Sequence, residues 1–257
     1  MILNYQYHLP EQNNKKVTLV FIHGLFGSLS NLGMLVRAFE QEYPILQVDL
    51  RNHGESGHSL IMNYEVMAQD VLETINQLKI QNFIVIGHSM GGKVAMQLAQ
   101  YAAERLKKLI ILDIAPVAYQ QRHHDEIFEA LITVENAEIQ SRKEATEIMQ
   151  NYIKEIGVVQ FLLKSFAQGQ WKFNVKALIE NYQNIIDWNE QNVWAGETLF
   201  IRGGRSDYLA KSEYVEKINK AFPHAIIDTV ENAGHWLHAE KTAEVTDLIL
   251  NFINKGN

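Results

Sequence analysis

The residues best suited to chemistry in this chain are a serine and its neighbours in the string Gly87-His88-Ser89-Met90-Gly91. An apolar run precedes the string, and a helix-like stretch at residues 92–99 follows it. A serine between glycines at a strand-to-helix turn is typical of a nucleophile elbow, where a strained turn exposes the hydroxyl. Small residues are needed two positions either side because strand and helix approach closely there. The pattern predicts Ser89 as a nucleophile.

A nucleophilic serine needs a base that accepts its proton and a third group that orients that base. In such an arrangement the histidine is expected in the loop after the last strand. The string Asn232-Ala233-Gly234-His235-Trp236-Leu237-His238 follows the last strand-like run, at residues 225–230. We predict His235 as the base, since Gly234 lets the loop bend back towards Ser89. His238 is interpreted as a structural histidine.

Two aspartates compete for the role of the orienting acid. Asp207 directly follows the strand-like run at residues 198–201, and Asp113 lies at the end of the run at 109–114. The chain order serine, acid, histidine fits both. An aspartate that ends an apolar strand is costly to bury without a partner, which suggests a function for Asp113. These arguments leave both aspartates open.

The negative oxygen that forms when a serine attacks a carbonyl needs two backbone N–H donors. The residue after the nucleophile, Met90, is expected to supply one. The loop His23-Gly24-Leu25-Phe26-Gly27 follows the first long apolar run and is expected to supply the other, from Leu25. His23 is interpreted as a residue that fixes this loop by hydrogen bonding. The loop at residues 49–56 is interpreted as a polar turn.

The elements that must position these residues alternate along the chain. Continuous apolar runs indicate strands that are buried on both faces, as in a parallel sheet; they lie at residues 17–22, 45–50, 83–86, 109–114, 198–201 and 225–230. Amphipathic helical patterns follow many of them, for example at 31–42, 64–78 and 242–254. The alternation predicts an α/β fold with a mostly parallel sheet and helices on both faces.

One segment breaks this alternation. Residues 118–195 carry helical patterns and no convincing strand, and strand-like runs flank the segment at both ends. We therefore expect residues 1–117 and 196–257 to form the core and residues 118–195 to form an inserted helical cap. The cap helices could also pair in a homodimer.

Composition excludes several classes of function. The 257 residues carry a formal charge of −7 and no basic stripe, so a nucleic-acid partner is not expected. The chain has no cysteine, no transmembrane-length apolar run and no signal-peptide pattern, so we expect a cytoplasmic protein without a membrane partner. No spacing of histidines and carboxylates resembles a metal site, and no phosphate-binding glycine motif is present. We therefore predict neither a metal nor a cofactor.

With these residues in hand, the chain resembles the α/β-hydrolase superfamily, and more closely its YbfF-type bacterial esterases. The resemblance runs nearly end to end, and the elbow and the histidine loop are common to the whole superfamily. More specific strings are His23-Gly24-Leu25-Phe26-Gly27-Ser28, Val48-Asp49-Leu50-Arg51-Asn52-His53-Gly54, Asp113-Ile114-Ala115-Pro116-Val117, Phe161-Leu162-Leu163-Lys164-Ser165-Phe166 and Trp171-Lys172-Phe173-Asn174.

The resemblance implies a hydrolase of small-molecule carboxylic esters, and also of acyl thioesters such as acyl-CoA. It also implies that the acid is the aspartate of the Asp-Ile-Ala-Pro string, which favours Asp113 over Asp207. Relatives with the same fold and triad catalyse C–C bond hydrolysis or elimination, and a ligand-binding protein without turnover is a further alternative, because fold does not fix function.

Overall fold

A seven-stranded sheet forms the centre of the protein, whose computed structural model describes residues 1–11 and 15–255. The strands of this sheet are β1 (Tyr5–His8), β2 (Thr18–Ile22), β3 (Ile45–Val48), β4 (Phe83–His88), β5 (Leu106–Leu112), β8 (Glu197–Gly203) and β9 (Ala225–Val230). Their spatial order is β1-β3-β2-β4-β5-β8-β9. Only the β1–β3 pairing is antiparallel among these strands. The predicted mostly parallel sheet is therefore confirmed.

The central strands form because both of their faces are buried. Successive residues of a strand point to opposite faces of the sheet. Along β2, Leu19 and Phe21 join one apolar cluster, whereas Val20 and Ile22 join the other. Two separate cores thus lie on the two faces, which explains why these strands are continuous apolar runs.

Helices cover both faces of the sheet. Their bounds are α1 (Gly33–Phe39), α2 (Tyr64–Gln77), α3 (Met90–Leu98), α4 (Asp125–Asn136), α5 (Arg142–Met149), α6 (Ile156–Leu163), α7 (Val175–Glu180), α8 (Tyr182–Ile186), α9 (Ser212–Ala221), α10 (Leu237–Glu240) and α11 (Thr242–Asn254). Buried residues of α1 and α11 belong to one cluster, and those of α2, α3 and α9 to the other. Among the described residues, no helix is both long and apolar enough to cross a bilayer.

The edge of the sheet differs from the sequence expectation. Strand β1 was not predicted, because its residues alternate between partly buried and exposed and form no apolar run. Strand β9 was expected to be buried on both faces, yet only Val230 of this strand is fully buried and Ile226 is 39% exposed. Strands β1 and β9 occupy the two outer positions of the sheet, where neighbours cover less of each strand.

The segment between β5 and β8 contains α4 to α8, as the helical patterns there indicate. The expectation that it has no strand is wrong. Strands β6 (Phe166–Ala167) and β7 (Gln170–Trp171) form a two-stranded antiparallel hairpin around Gly169, whose φ is +75°. A pair this short leaves no periodic pattern in the sequence. The division into a core and a cap at residues 118 and 195 stays a prediction.

The close approach of α3 to the sheet allows a test of the packing at the turn after β4. A Cβ added at Gly91 would lie 2.3 Å from the carbonyl oxygen of Ile22 and 2.4 Å from that of His23. Both obstacles are backbone atoms, so we expect Gly91→Ala to lower the free energy of unfolding by about 3 kcal/mol. The matched control is Gly157→Ala, since an added Cβ there meets nothing within 4 Å.

Urea-induced unfolding of both variants measures the difference. The control is expected to change the free energy of unfolding by less than about 1 kcal/mol. A Gly91→Ala variant as stable as the parent protein would contradict the packing described above.

Candidate active site

Ser89 lies in the turn between β4 and α3, in a strained backbone conformation. Its φ is +53° and its ψ is −122°, and its backbone N–H donates to the carbonyl of Leu112 on β5 at 2.9 Å. A non-glycine residue in this region is uncommon and marks stored strain. The turn fits only because Gly87 has no side chain: an added Cβ would lie 2.3 Å from the carbonyl oxygen of Gly91. The hydroxyl is thereby held beside the amino terminus of α3.

The loop after β9 brings His235 against Ser89. The Ser89 hydroxyl donates to His235 Nε2 at an Oγ–N distance of 2.9 Å. Two contacts fix the position of His235: the Nε2–H of His88 donates to its backbone carbonyl at 2.8 Å, and the ring of Tyr208 stacks on its imidazole at 4.1 Å. The imidazole is 21% exposed, so part of the ring can be reached from outside the protein.

Asp113 completes a continuous hydrogen-bonded chain. The Nδ1–H of His235 donates to Asp113 Oδ2 at 2.7 Å, and the Asp113 side chain is fully buried. Two donors at the carboxyl end of β8, the strand next to β5, satisfy the carboxylate. The N–H of Gly203, the last residue of β8, donates to Oδ1 at 2.9 Å, and the hydroxyl of Ser206, in the turn that follows, donates to Oδ2. These bonds offset the cost of burying a charge.

The structure does not bring Asp207 into this chain. Its side chain is exposed at the start of a 3₁₀ turn at Asp207–Leu209, and it makes no hydrogen bond to His235. The residue before it, Ser206, reaches Asp113 instead. The geometry therefore favours Asp113 between the two aspartates that the residues alone left open.

Two unpaired backbone N–H groups adjoin Ser89. In the described residues, the N–H groups of Leu25 and Met90 have no hydrogen-bond partner, and both residues line the space around Ser89. Met90 is the first residue of α3, where a backbone N–H has no partner within the helix. The loop at residues 23–27 is called the glycine loop below. Its next N–H, that of Phe26, already donates to His53 Nε2 at 3.2 Å. The arrangement suits an oxyanion hole formed by Leu25 and Met90.

Two buried histidines hold the glycine loop in this position. The Nδ1–H of His53 donates to the carbonyl of Arg51 at 3.0 Å, which leaves Nε2 as the acceptor for Phe26. The Nδ1–H of His23 donates to the carbonyl of Gly24, and its Nε2 accepts from the N–H of Leu50. Burial lowers the pKa of both imidazoles, that of His53 to about 3, with the charge of His23 as the second cause. Both rings are therefore neutral, as these bonds require.

The loop at residues 49–56 thus does more than the polar turn that its sequence indicates. Its Arg51 makes two hydrogen bonds to the Asp70 carboxylate of α2, at 2.6 and 2.9 Å. The carbonyl of Asn52 accepts from the N–H of Asn174, next to α7. This loop is therefore hydrogen-bonded to three other parts of the protein: to α2, to the segment between β5 and β8, and to the glycine loop. The sequence carries no sign of these partners, which are 19 to 122 residues away.

The sequence analysis also missed Ser206, Tyr208 and the position of His88 behind His235. One signal in the sequence could have indicated Ser206. A buried carboxylate such as that of Asp113 needs hydrogen-bond donors, and residues that follow a neighbouring strand of a parallel sheet can supply them. His238, interpreted as structural, is 5% exposed and packs edge-on against His88 at 4.3 Å. In residues 1–11 and 15–255, no group of three His, Asp or Glu side chains is arranged to hold a metal ion.

Comparison with known proteins places this site in a family. Residues 17–137 match the family model of the alpha/beta hydrolase fold. The chain is 46% identical to a putative esterase/lipase of Haemophilus influenzae, over 99% of this chain and 89% of that protein. It is 43% identical to the esterase YbfF of Escherichia coli, over 99% of this chain and the whole of that protein. The chain belongs to the YbfF-type esterases of the α/β-hydrolase superfamily.

A solved structure agrees with this assignment. A marine microorganism esterase superimposes on the present YbfF-type esterase with a TM-score of 0.91 and 32% identity, covering 98% of this chain and 99% of that one. Coverage at this level includes the segment between β5 and β8 as well as the sheet. The α/β-hydrolase fold predicted from the sequence is confirmed.

In this YbfF-type esterase, Ser89 and His235 open into a cleft of about 1160 Å³. The glycine loop and the turn after β8 form one part of its wall, and α4 and α6 contribute Ile127 and Phe161 from the other part. A cleft of this size is large enough to bind a small molecule. Ser89 and His235 are therefore accessible to a substrate, while Asp113 stays buried behind them.

Proposed function

We propose that the protein is a serine hydrolase that cleaves carboxylic esters through an acyl-enzyme on Ser89. The observation that carries this proposal is the continuous chain from Ser89 Oγ through His235 to the buried Asp113 carboxylate, at 2.9 and 2.7 Å. A serine whose proton can pass to an oriented imidazole is an activated nucleophile. A protein that only binds a ligand has no need of this activation.

The acylation step follows from these contacts. Ser89 Oγ attacks the acyl carbon while its proton passes to His235 Nε2, and the carbonyl oxygen becomes negative. The imidazolium returns that proton to the alcohol oxygen as the C–O bond breaks, which leaves the acyl group on Ser89. Water then attacks the acyl-enzyme, giving its proton to His235, and Ser89 regains a proton as the acid leaves. Asp113 holds the Nδ1–H tautomer throughout.

The N–H groups of Leu25 and Met90 stabilise the negative oxygen in both steps. Each donor contributes on the order of 3 kcal/mol to transition-state stabilisation when it is preorganised and shielded from water. Preorganisation is supported by the two neutral histidines that fix the glycine loop, and by the fixed start of α3.

The same residues support hydrolysis of acyl thioesters such as acyl-CoA. A thiolate is a better leaving group than an alkoxide, so the chemistry asks less of His235 as an acid. The cleft of about 1160 Å³ has room for a large leaving group. We therefore extend the proposal to acyl thioesters: Ser89 is the nucleophile in both ester and thioester hydrolysis.

Labelling with a fluorophosphonate probe tests the proposal. We expect the probe to phosphonylate Ser89, identified by peptide mass spectrometry, and to abolish hydrolysis of p-nitrophenyl acetate and of acetyl-CoA in parallel. Heat-denatured protein is the control, since an unfolded chain has no activated serine. No labelling of the folded protein would overturn the acyl-enzyme, and thioesterase activity that survives complete labelling would overturn the extension to thioesters.

A further inference from the structure

The glycine loop contains a β-turn with a strained residue. The N–H of Gly27 donates to the carbonyl of Gly24 at 3.1 Å, which closes a four-residue turn with Leu25 and Phe26 at its centre. The φ of Phe26 is +62°, whereas that of Leu25 is negative. A negative φ followed by a positive one defines a type II turn, whose third residue is normally glycine or asparagine. Phenylalanine in this place is strained, so another part of the protein must hold the backbone there.

The packing of the Phe26 side chain explains why glycine does not take this position. Phe26 is 2% exposed, and its ring contacts aromatic side chains of the segment between β5 and β8. Its centroid lies 5.5 Å from those of Phe128 and Phe173 and 5.8 Å from that of His124. Glycine would relieve the strain but remove this buried packing. Position 26 therefore needs a large side chain and a left-handed backbone together.

His53 supplies the contact that favours this backbone. Its Nε2 accepts the N–H of Phe26 at 3.2 Å. The peptide that carries this N–H is the one that turns over between a type II and a type I turn. A type I turn would give Phe26 an ordinary negative φ but point its N–H away from His53. The same change would alter ψ of Leu25, the residue whose own N–H adjoins Ser89.

The acceptor on His53 is held in place by the core. The backbone N–H of His53 donates to the carbonyl of Leu50 at 3.0 Å, and its carbonyl accepts from Ser56 at 3.1 Å. Its Nδ1–H donates to the carbonyl of Arg51, whose guanidinium is bonded twice to the Asp70 carboxylate on α2. The ring is completely buried and does not line the cleft. His53 is thus a fixed point outside the substrate's reach.

Resting on the proposed function, we propose that His53 is a positioning residue for catalysis. Its Nε2 holds the strained turn at Leu25 and Phe26 in the form that leaves the Leu25 N–H free for the negative oxygen. His53 touches neither the substrate nor the reacting atoms and acts through the turn alone. A preorganised donor stabilises a negative oxygen more than a neutral carbonyl, so loss of this acceptor should fall on kcat.

Asparagine and glutamine at position 53 separate the two bonds of the imidazole. The side chain of His53→Asn can place its amide near the position of Nδ1 and donate to the carbonyl of Arg51, but it is too short to reach Phe26. The side chain of His53→Gln can place its oxygen near the position of Nε2 and accept from Phe26. Both variants replace the ring by a buried amide, so each is the matched control of the other for stability.

We expect His53→Asn to lower kcat for p-nitrophenyl acetate by about 10- to 100-fold with little change in KM, which approaches the loss of an oxyanion donor itself. His53→Gln should lower kcat by at most about five-fold, because it keeps the acceptor. Rates are counted per serine that reacts with the fluorophosphonate probe at complete labelling. Unfolded molecules therefore do not contribute to the difference.

A trifluoromethyl ketone gives a second measurement that a purely structural role would not change. The Ser89 hydroxyl adds to the ketone carbon while its proton passes to His235, and the ketone oxygen becomes negative. The Kd of this adduct should rise in His53→Asn by the same factor by which kcat/KM falls. A role confined to stability would lower the midpoint of thermal unfolding and leave the Kd unchanged.

The outcomes separate this proposal from the proposed function. Equal losses of kcat in His53→Asn and His53→Gln, or no loss in either, would overturn the role of His53 while ester hydrolysis stands. An unaltered enzyme that hydrolyses no ester would overturn the proposed function and this inference with it.

The unaltered enzyme decides the question if the variants do not fold. Nitrogen NMR of the isotopically labelled enzyme at neutral pH should show His53 as an uncharged imidazole with its proton on Nδ1. A proton on Nε2 would leave no acceptor for the N–H of Phe26, and that result would overturn the proposal.

Discussion

Replacing Ser89 by alanine is expected to lower kcat for p-nitrophenyl acetate by about 10⁶-fold. The variant keeps His235 and Asp113 but has no atom that can form the acyl-enzyme. Water could be activated by His235 in its place, yet it would lack the fixed position that the strained turn gives the hydroxyl. The remaining rate enhancement over the uncatalysed reaction should therefore be close to what substrate binding and oxyanion stabilisation supply alone.

The fold should survive this change, which makes the kinetic result interpretable. Alanine has the same backbone preferences as serine at a φ of +53°, and the Ser89 hydroxyl bonds only to His235 among the described residues. Thermal unfolding should shift by no more than a few degrees. Ser212→Ala, at an exposed position at the start of α9, is the matched control and should retain full activity. Retention of more than about 1% of kcat in Ser89→Ala would exclude the acyl-enzyme mechanism.

The positions of the nucleophile and base could be predicted because their signals are local. The glycines around Ser89 reflect contacts within one turn, and His235 follows a glycine after the last strand of the sheet. The structure brings these residues to hydrogen-bond distance. Their catalytic roles stay predictions until the variants are measured.

The orienting acid could not be decided from the residues because its environment is built from distant parts of the chain. Asp113 is stabilised by Gly203 and Ser206, about 90 residues further along. No local pattern around residue 113 reveals these donors. Only the pairing of β5 with β8 places them at the end of β5. The resemblance to the family supplied the preference that the spacing could not.

The elements of the fold also divide into those with a local sequence signal and those that depend on distant partners. Strands β2, β4, β5 and β8 were predicted because burial on both faces makes them continuous apolar runs. Strand β1 and the hairpin at Gly169 depend on pairing at an edge and on one left-handed glycine, and neither produces a repeating pattern. The hydrogen bonds between Arg51 and Asp70 could not be predicted for the same reason as the role of Asp113: the partners come together only after folding.

Replacing Asp113 by asparagine is expected to lower kcat by about 10⁴-fold. The amide of asparagine can donate to His235 Nδ1, which favours the tautomer with the proton on Nε2. That tautomer cannot accept the proton of Ser89, so the loss should fall on kcat with little change in KM. Because asparagine has nearly the same shape, its oxygen can still accept from Gly203 or Ser206, and the fold should be retained.

Asp207→Asn is the matched control, since it makes the same chemical change on an exposed side chain that lines the same cleft. Its kcat should stay within about three-fold of the parent value, because the carboxylate makes no hydrogen bond to His235. Steady-state kinetics of both variants at one pH, with circular dichroism to verify folding, decide the acid. A large loss in Asp207→Asn with normal activity in Asp113→Asn would mean that the turn after β8 rearranges during catalysis. Equal and modest losses would instead show that neither carboxylate orients His235, and that its backbone contacts with His88 and its stacking on Tyr208 suffice.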